Sequence, residues 1–160
     1  MNLLDNISLN DIPQILPKLS LPEQERLLAE LEKLTELRSQ KLANEKFLSF
    51  VKQMWPSFIS GRHHAKMAAA FERVASGECK RLIINMPPRH TKSEFASYLL
   101  PAWFLGKFPA KKIIQSSNTA ELAVGFGRKV RNLVDQEAYD KIFPGVGLQT
   151  DSKAAGRWAT

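Results

Sequence analysis

The stretch from Arg81 to Glu94 constrains the fold most, because a short apolar run enters a loop that leads into a helical pattern. The order strand, loop, helix, with Lys92 and Ser93 at the helix start, is that of a phosphate-binding P-loop. In that motif, Gly-x-x-x-x-Gly-Lys-[Ser/Thr], backbone N–H groups and the helix N-terminus hold phosphates, the lysine reaches the β and γ oxygens, and the hydroxyl binds Mg²⁺. Met86 and Thr91 stand at the glycine positions, so the generic motif is incomplete.

Thr91 is the more demanding of these two replacements. The second glycine of the motif normally lets the backbone adopt a conformation that a β-branched residue tolerates poorly. The pattern therefore leaves two interpretations open. One is a phosphate site whose N–H groups run from about Arg89 to Glu94, and the other is a basic strand-to-helix loop with a chance Lys-Ser pair.

Composition narrows the class of protein. The chain has 160 residues, 44% of them hydrophobic, which suits about one domain with its own core. A formal charge of +7 favours anionic partners, although a solvated basic face gives the same count. Cys79 is the single cysteine, so no disulfide framework is expected and a reducing cytoplasm fits. With no apolar run near the ~18 residues of a membrane span and no basic leader, we expect a soluble intracellular protein.

Residues 1–43 form the first predicted region, an arm followed by an amphipathic helix. Residues 2–19 lack periodicity and are expected to be a loose arm with short turns. Ser20 and Glu23 have capping-box spacing, and the helix should reach about Leu42. Its apolar stripe packs either on its own domain or on a partner. The residues of that stripe are Leu27, Leu31 and Leu34.

Residues 44–160 form the second predicted region, which begins where aromatic residues become frequent. Apolar spacing predicts helices that end at Pro56, at Gly77 and, with a kink at Pro101, beyond Trp103. Their buried residues are expected to be Phe47, Phe50, Val51, Met54 and Trp55, then Met67, Ala70, Phe71 and Val74, then Phe95, Tyr98, Leu99, Ala102 and Trp103.

His63 and His64 stand together at the start of the second of these helices. Adjacent residues on a helix point in different directions, and no further ligand lies at metal-binding spacing. The pair is therefore expected to cap the helix or to pack near a bound base.

A second apolar run, Lys112 to Ser116, predicts another buried strand. Asn118 and Glu121 have N-cap and N3 spacing for a helix to about Val134. Arg128, Lys129 and Arg131 would lie on its polar face, and a short helix should follow from Glu137 to Phe143. Alternating strands and helices predict an α/β fold: an incomplete P-loop NTPase, with a parallel sheet flanked by helices, preceded by a helical N-terminal region.

The other half of an ATPase site is missing from this pattern. A Walker-B carboxylate should end an apolar strand, but Asp135, Glu137, Asp140 and Asp151 have helical or loop-like surroundings. Two strands also make a poor parallel sheet. These observations predict a chain that stops inside a larger ATPase domain.

The region from Phe47 to Thr160 resembles the N-terminal ATPase part of a tailed-bacteriophage terminase large subunit. The Pro-Pro-Arg-His-x-Lys-Ser form of the loop is far more specific than a generic phosphate motif. The other pieces that carry the resemblance are Phe-Leu-Ser-Phe-Val with Trp55-Pro56, Gly61-Arg62-His63-His64, Gly77-Glu78 with Lys80 to Glu94, and Ser116 to Ala123.

The resemblance implies ATP and Mg²⁺ as cofactors, with hydrolysis driving double-stranded DNA into a procapsid. It implies a portal protein and a small terminase subunit as partners, a homo-oligomeric ring, no membrane, and the host cytoplasm. Lys92 would bind the triphosphate, Ser93 the magnesium ion, and Arg89 the γ-phosphate. The remaining ATP-binding residues would be Pro88, His90, Thr91 and Glu94, with Trp55, His63 and His64 on the adenine side.

By the same resemblance, Walker B and the nuclease carboxylates would lie beyond Thr160, so this chain alone would be inactive. Two alternatives stay open. One is another P-loop NTPase of helicase type. The other is a non-catalytic module that binds DNA or a packaging partner through the Leu-rich N-terminal helix and the basic helix face at Arg128, Lys129 and Arg131.

Overall fold

The computed structural model describes residues 12–149 and 158–160, and this part of the chain is helical. It divides into two compact units, the first ending at Ser39 and the second beginning at Gln40. The α-helices are α1 (Ile12–Ile15), α2 (Leu21–Glu45), α3 (Phe47–Met54), α4 (Arg62–Ala75), α5 (Leu100–Lys107), α6 (Ala120–Val134) and α7 (Glu137–Ile142). A 3₁₀ turn occupies Leu16–Lys18, and a π-helix occupies Glu94–Leu99.

The predicted α/β fold is wrong. Within residues 12–149 and 158–160 there is no β-strand, so no parallel sheet exists to make a P-loop NTPase fold. The expected strands at Leu82–Ile84 and at 112–116 are irregular segments. Their apolar side chains are not buried as sheet residues would be, since Ile83 is 86% exposed and Ile114 is 95% exposed.

The physical reason is the lack of hydrogen-bonding partners. A strand exists only when a neighbouring segment accepts and donates its backbone hydrogen bonds. In the described ranges, neither irregular segment forms backbone-to-backbone hydrogen bonds with the other. Apolar composition alone therefore does not turn these two runs into a sheet.

The first unit contains the predicted start of the amphipathic helix. The Glu23 carboxylate accepts hydrogen bonds from the Ser20 N–H at 2.9 Å and from the Ser20 hydroxyl at 2.6 Å. These bonds lower the pKa of Glu23. The capping residues were thus identified correctly, and α2 extends to Glu45. A loose arm was predicted over residues 2–19. Its part up to residue 11 lies outside the described residues, and residues 12–18 form α1 and the 3₁₀ turn.

The core of the second unit is built around the ring of Phe47, which is fully buried. Three aromatic rings meet it edge-on: Phe71 of α4 at 5.3 Å, and Phe95 of the π-helix and Trp103 of α5 at 5.6 Å each. Edge-to-face pairs at such distances add to the stabilisation that comes from burial. Phe47 therefore joins α3 to α4 and to the helix that follows the loop.

Two buried polar groups of this core, on Trp103 and Tyr139, are paired within the chain. The Trp103 indole N–H donates to the carbonyl of Ala43 at 3.1 Å, and the Tyr139 hydroxyl donates to that of Ala102 at 2.8 Å. Burial raises the pKa of Tyr139 well above its ordinary value. Such pairing offsets the cost of removing these groups from water.

The helix is irregular next to Pro101, where the sequence predicts a kink. Pro101 has no N–H to offer the carbonyl of Ser97, and that carbonyl instead accepts from the Gln115 side-chain amide at 2.6 Å. The residues just before Pro101 form the π-helix, in which the Leu100 N–H donates to Phe95. Short π-helical segments are frequent at functional sites.

Three further expectations concern helix ends. Gly77 has φ of +81° just beyond α4, which is where the sequence places the helix stop. The predicted cap Asn118 is wrong by one residue, since Thr119 accepts from the Leu122 N–H at 3.2 Å. The short helix predicted from Glu137 is confirmed as α7.

In the described part of the chain, no helix has both the length and the apolar character needed to cross a membrane.

We expect Phe47→Ala to lower the free energy of unfolding by about 3–5 kcal/mol, because it removes the ring that three others contact. Ile114→Ala, at a site that is 95% exposed, should change it by less than about 0.5 kcal/mol. Urea unfolding of both variants measures the difference. Equal effects would contradict the central role of Phe47.

Candidate functional site

The loop before the π-helix has an unusual backbone. In the described part of the chain, two non-glycine residues have positive φ: Arg89 at +62° and Thr91 at +59°. The residues between and after them, His90 and Lys92, do not share this conformation. For β-branched Thr91 such a φ is strained. The backbone thus adopts, at the position of the second glycine, the kind of conformation that glycine favours.

This alternation leaves a run of backbone donors without partners. The N–H groups from Arg89 to Glu94 have no acceptor among the described residues, and the Phe95 N–H is the first to bond, to Thr91 O at 2.9 Å. Helical residues begin at Lys92, so these N–H groups precede or form the first helical turn. Successive N–H groups in alternating conformations form a concave nest that binds anions.

His64 connects α4 to this loop. Its Nε2 lies 2.7 Å from the Thr91 hydroxyl, and its Nδ1 accepts from the Gly61 N–H at 2.8 Å. The second bond assigns the ring proton to Nε2, which therefore donates to Thr91. The Thr91 hydroxyl donates in turn to the carbonyl of His90 at 2.7 Å. The expectation that this histidine caps α4 is met by the Gly61 bond.

The ring of His64 is 5% exposed and lies in an aromatic setting. Phe95 stacks on it at 4.9 Å, and Phe58 meets it edge-on at 4.7 Å. Burial first, and then the nearby charges of His63 and His90, lower the pKa of His64. His64 is therefore held as the neutral tautomer that the hydrogen bonds require.

Most of the predicted phosphate-binding side chains are exposed to solvent. Pro88, Arg89, His90 and Ser93 are exposed, and Lys92 is half-buried. Arg89 and Lys92 form no ion pair with any residue in the described ranges, so both charges are available to an anion.

The Glu94 side chain is engaged within the chain. Its carboxylate pairs with Lys129 of α6 at 3.1 Å, and the Lys129 ammonium also lies over the rings of Tyr98 and Phe126. Burial and the charge of Glu94 raise the pKa of Tyr98. Glu94 thus ties α6 to the continuous helical stretch 92–107, which comprises the π-helix and α5 and is called the loop helix below.

The expected adenine-side residues are only partly at the loop. His63 lies 5.8 Å from the ring of His90 and 3.8 Å from that of His64. Trp55 is one ring further away, 5.5 Å from Phe58, and its indole N–H donates to Ser57 at 2.9 Å. The structure therefore brings the histidines to the loop and leaves Trp55 behind Phe58.

A cavity of about 440 Å³ opens beside the loop and is lined by Lys92, Ser93 and a second lysine, Lys80. Most of its remaining lining is apolar, from α4, the irregular segment at 82–84 and the loop helix. Its volume lies within the range of small-molecule sites. Nothing in the sequence pattern indicates this cavity, because its walls come from distant parts of the chain.

The described residues contain no group of three or more His, Cys, Asp or Glu side chains that could hold a metal ion. Magnesium at nucleotide sites needs only one or two protein ligands, since phosphate oxygens and water supply the others. The exposed hydroxyl of Ser93, at the start of the helix, suits that arrangement.

The basic face of α6 is partly engaged within the chain. Lys129 is paired with Glu94, and Arg131 donates to Asn132 at 3.0 Å. Arg128 is exposed. This face therefore presents less available charge than the count of basic residues indicates.

Comparison of the chain with protein-family models, with curated proteins and with solved structures finds no match.

Sequence reasoning missed the contact between His64 and Thr91 and the pair formed by Glu94 and Lys129. These residues are 27 and 35 positions apart. Thr91 was the residue that could have indicated the first contact. A β-branched residue at a glycine position needs stabilising contacts from elsewhere in the chain.

We expect the stability of the chain to fall in acid because of His64. Its pKa in the folded chain lies below the ordinary 6.5, so protons favour the unfolded chain between these two values. Its stabilising contribution should be complete above about pH 6.5 and be lost as the pH falls through the folded pKa. Urea unfolding of wild type and His64→Phe at a series of pH values measures this contribution as their difference. A difference independent of pH would contradict the assignment.

Proposed function

We propose that the loop from Met86 to Glu94 binds the phosphates of a nucleoside triphosphate, and that the chain is the ATP-binding part of a viral DNA-packaging motor. The observation that carries the proposal is the alternating backbone at Arg89 and Thr91. It leaves successive N–H groups at the start of a helix without an acceptor among the described residues. A nest of this kind and a helix N-terminus both favour a bound anion.

The side chains at the loop add the charge that a triphosphate needs. Lys92 directly precedes Ser93 at the helix start, as the lysine of a phosphate loop does, and would reach the β and γ oxygens. Arg89, exposed and without an ion-pair partner among the described residues, would meet the terminal phosphate. A single phosphate would occupy the nest but would leave one of these cations without an anion.

Mg²⁺ would be held by the Ser93 hydroxyl together with phosphate oxygens and water. The ion, when bound, neutralises charge on the phosphates. The nearby Glu94 carboxylate is paired with Lys129, which leaves Ser93 as the ligand from this turn of helix.

The assignment to a packaging motor rests on the Pro-Pro-Arg-His-x-Lys-Ser form of the loop, which resembles that of terminase large subunits. The proposal is one of triphosphate binding by a loop and helix, since the described residues contain no sheet. DNA, a portal protein and a small subunit would be partners of the assembled motor.

We expect Lys92→Ala to weaken binding of Mg-ATP by about ten- to a hundredfold, because a charge-assisted hydrogen bond to phosphate is lost. Titration of the purified chain with Mg-ATP by isothermal calorimetry measures the affinity. The matched control is Lys52→Ala, which removes the same charge from an exposed site on α3 and should leave the affinity unchanged. Equal affinities for wild type and Lys92→Ala would overturn the proposal, as would equal losses in the two variants.

We expect Ser93→Ala to reduce the advantage that Mg²⁺ gives to ATP binding. With Mg²⁺ the affinity of the variant should be about tenfold below that of wild type, of the order found when a single group at a metal site is removed. With EDTA the two proteins should bind ATP equally. A loss of the same size in EDTA would show that Ser93 contacts phosphate and not the ion.

A further inference from the structure

We infer that His64 is a positioning residue for the anion nest: its hydrogen bond to Thr91 holds that residue in the left-handed conformation that turns the loop N–H groups to one side. The inference rests on the proposed function for its ligand, a polyphosphate. It assigns a role to a side chain that contacts the loop and not the phosphate.

Thr91 adopts a strained backbone conformation. A β-branched residue at φ of +59° is disfavoured relative to the extended or helical conformations. Such a conformation persists only where surrounding contacts determine it. Without those contacts the loop would relax, and the alternation that makes the nest would be lost.

The side-chain contacts of Thr91 are two hydrogen bonds of its hydroxyl. The Thr91 hydroxyl accepts from His64 at 2.7 Å and donates to the carbonyl of His90 at 2.7 Å. The bond to His90 is local and moves with the loop. The bond to His64 joins the loop to α4. Among the described residues, no other side-chain hydrogen bond connects the loop to that helix.

His64 is itself fixed by its neighbours. Its Nδ1 is fixed by the Gly61 N–H, and its ring is packed by Phe95 and Phe58. Phe95 belongs to the helix that the loop begins, so His64 touches both the loop and the helix it leads into. Neutral His64 is the form that can accept from Gly61 and donate to Thr91 together. The titratable side chains that face it are His63 and His90.

The experiment is a rescue in which glycine replaces Thr91, the residue that the His64 hydrogen bond stabilises. His64→Phe keeps a ring in the aromatic setting and removes the bond to Thr91. Thr91→Gly does not need that bond, because glycine adopts positive φ without strain. The affinity for inorganic tripolyphosphate is measured by calorimetry in wild type, both single variants and the double variant.

We expect His64→Phe to weaken tripolyphosphate binding by about tenfold, the factor that corresponds to a modest backbone strain. The double variant His64→Phe with Thr91→Gly should bind as tightly as Thr91→Gly alone. If it binds as weakly as His64→Phe, or if His64→Phe binds as wild type does, the inference is overturned. A purely structural loss of α4 packing would not be rescued by glycine at residue 91.

A second pair of variants leaves His64 in place, so that the inference is tested even where His64→Phe folds poorly. Thr91→Val replaces the hydroxyl with a methyl group of similar size and should lose affinity to a similar extent, about tenfold. Thr91→Ser keeps the hydroxyl and should bind as wild type does. Equal affinities for Thr91→Val and Thr91→Ser would overturn the inference.

A measurement without ligand separates this inference from the proposed function. Backbone NMR chemical shifts report the conformation of residue 91 in the free chain. They should indicate positive φ in wild type and Thr91→Gly, and its loss in Thr91→Val. If wild type keeps this conformation and yet binds no tripolyphosphate, the proposed function fails while the role of His64 in shaping the loop stands. If Thr91→Val also keeps it, the role of His64 is wrong.

Discussion

The edge-to-face contacts of Phe47 are the interaction on which the rest of the second unit depends. The ring joins α3 to Phe71 of α4 and to Phe95 and Trp103 of the loop helix. Because α4 and the loop helix pack on one ring, the start of α4 is brought against the start of the loop helix. His64 can then contact Thr91. The position of His64 beside the loop thus depends on aromatic packing in the core.

Helices were predictable from the sequence because their hydrogen bonds are local. The spacing of Phe47, Phe50 and Val51 indicates which face of α3 is buried, and the structure buries all three. A strand differs, since its hydrogen bonds need another segment whose presence no local pattern encodes. Leu82–Ile84 has an apolar strand composition, yet Ile83 stays 86% exposed. The apolar run shows that this segment could join a sheet. It does not show whether another segment is present to form one.

The candidate site shows the same division between local and distant information. The place of Lys92 and Ser93 at a helix start follows from the sequence, as does the conflict between Thr91 and a glycine position. The partner that resolves this conflict, His64, is 27 residues away. Its identity depends on how α4 meets the loop, which is set by aromatic packing and not by a motif. Sequence reasoning could locate the strain but not its source of support.

The choice of threonine over glycine at residue 91 has a physical consequence for any anion that binds. A loop with glycine at this position adopts the required conformation without strain, but it also adopts many others. Binding must then order the loop, at a cost in conformational entropy. Thr91 resists that conformation by itself, but once His64 holds its hydroxyl, few alternatives remain to the loop. Preorganised donors bind more tightly because less ordering accompanies association. A missing glycine, which weakens a motif as a pattern, is therefore compatible with a loop that is better formed before its ligand arrives.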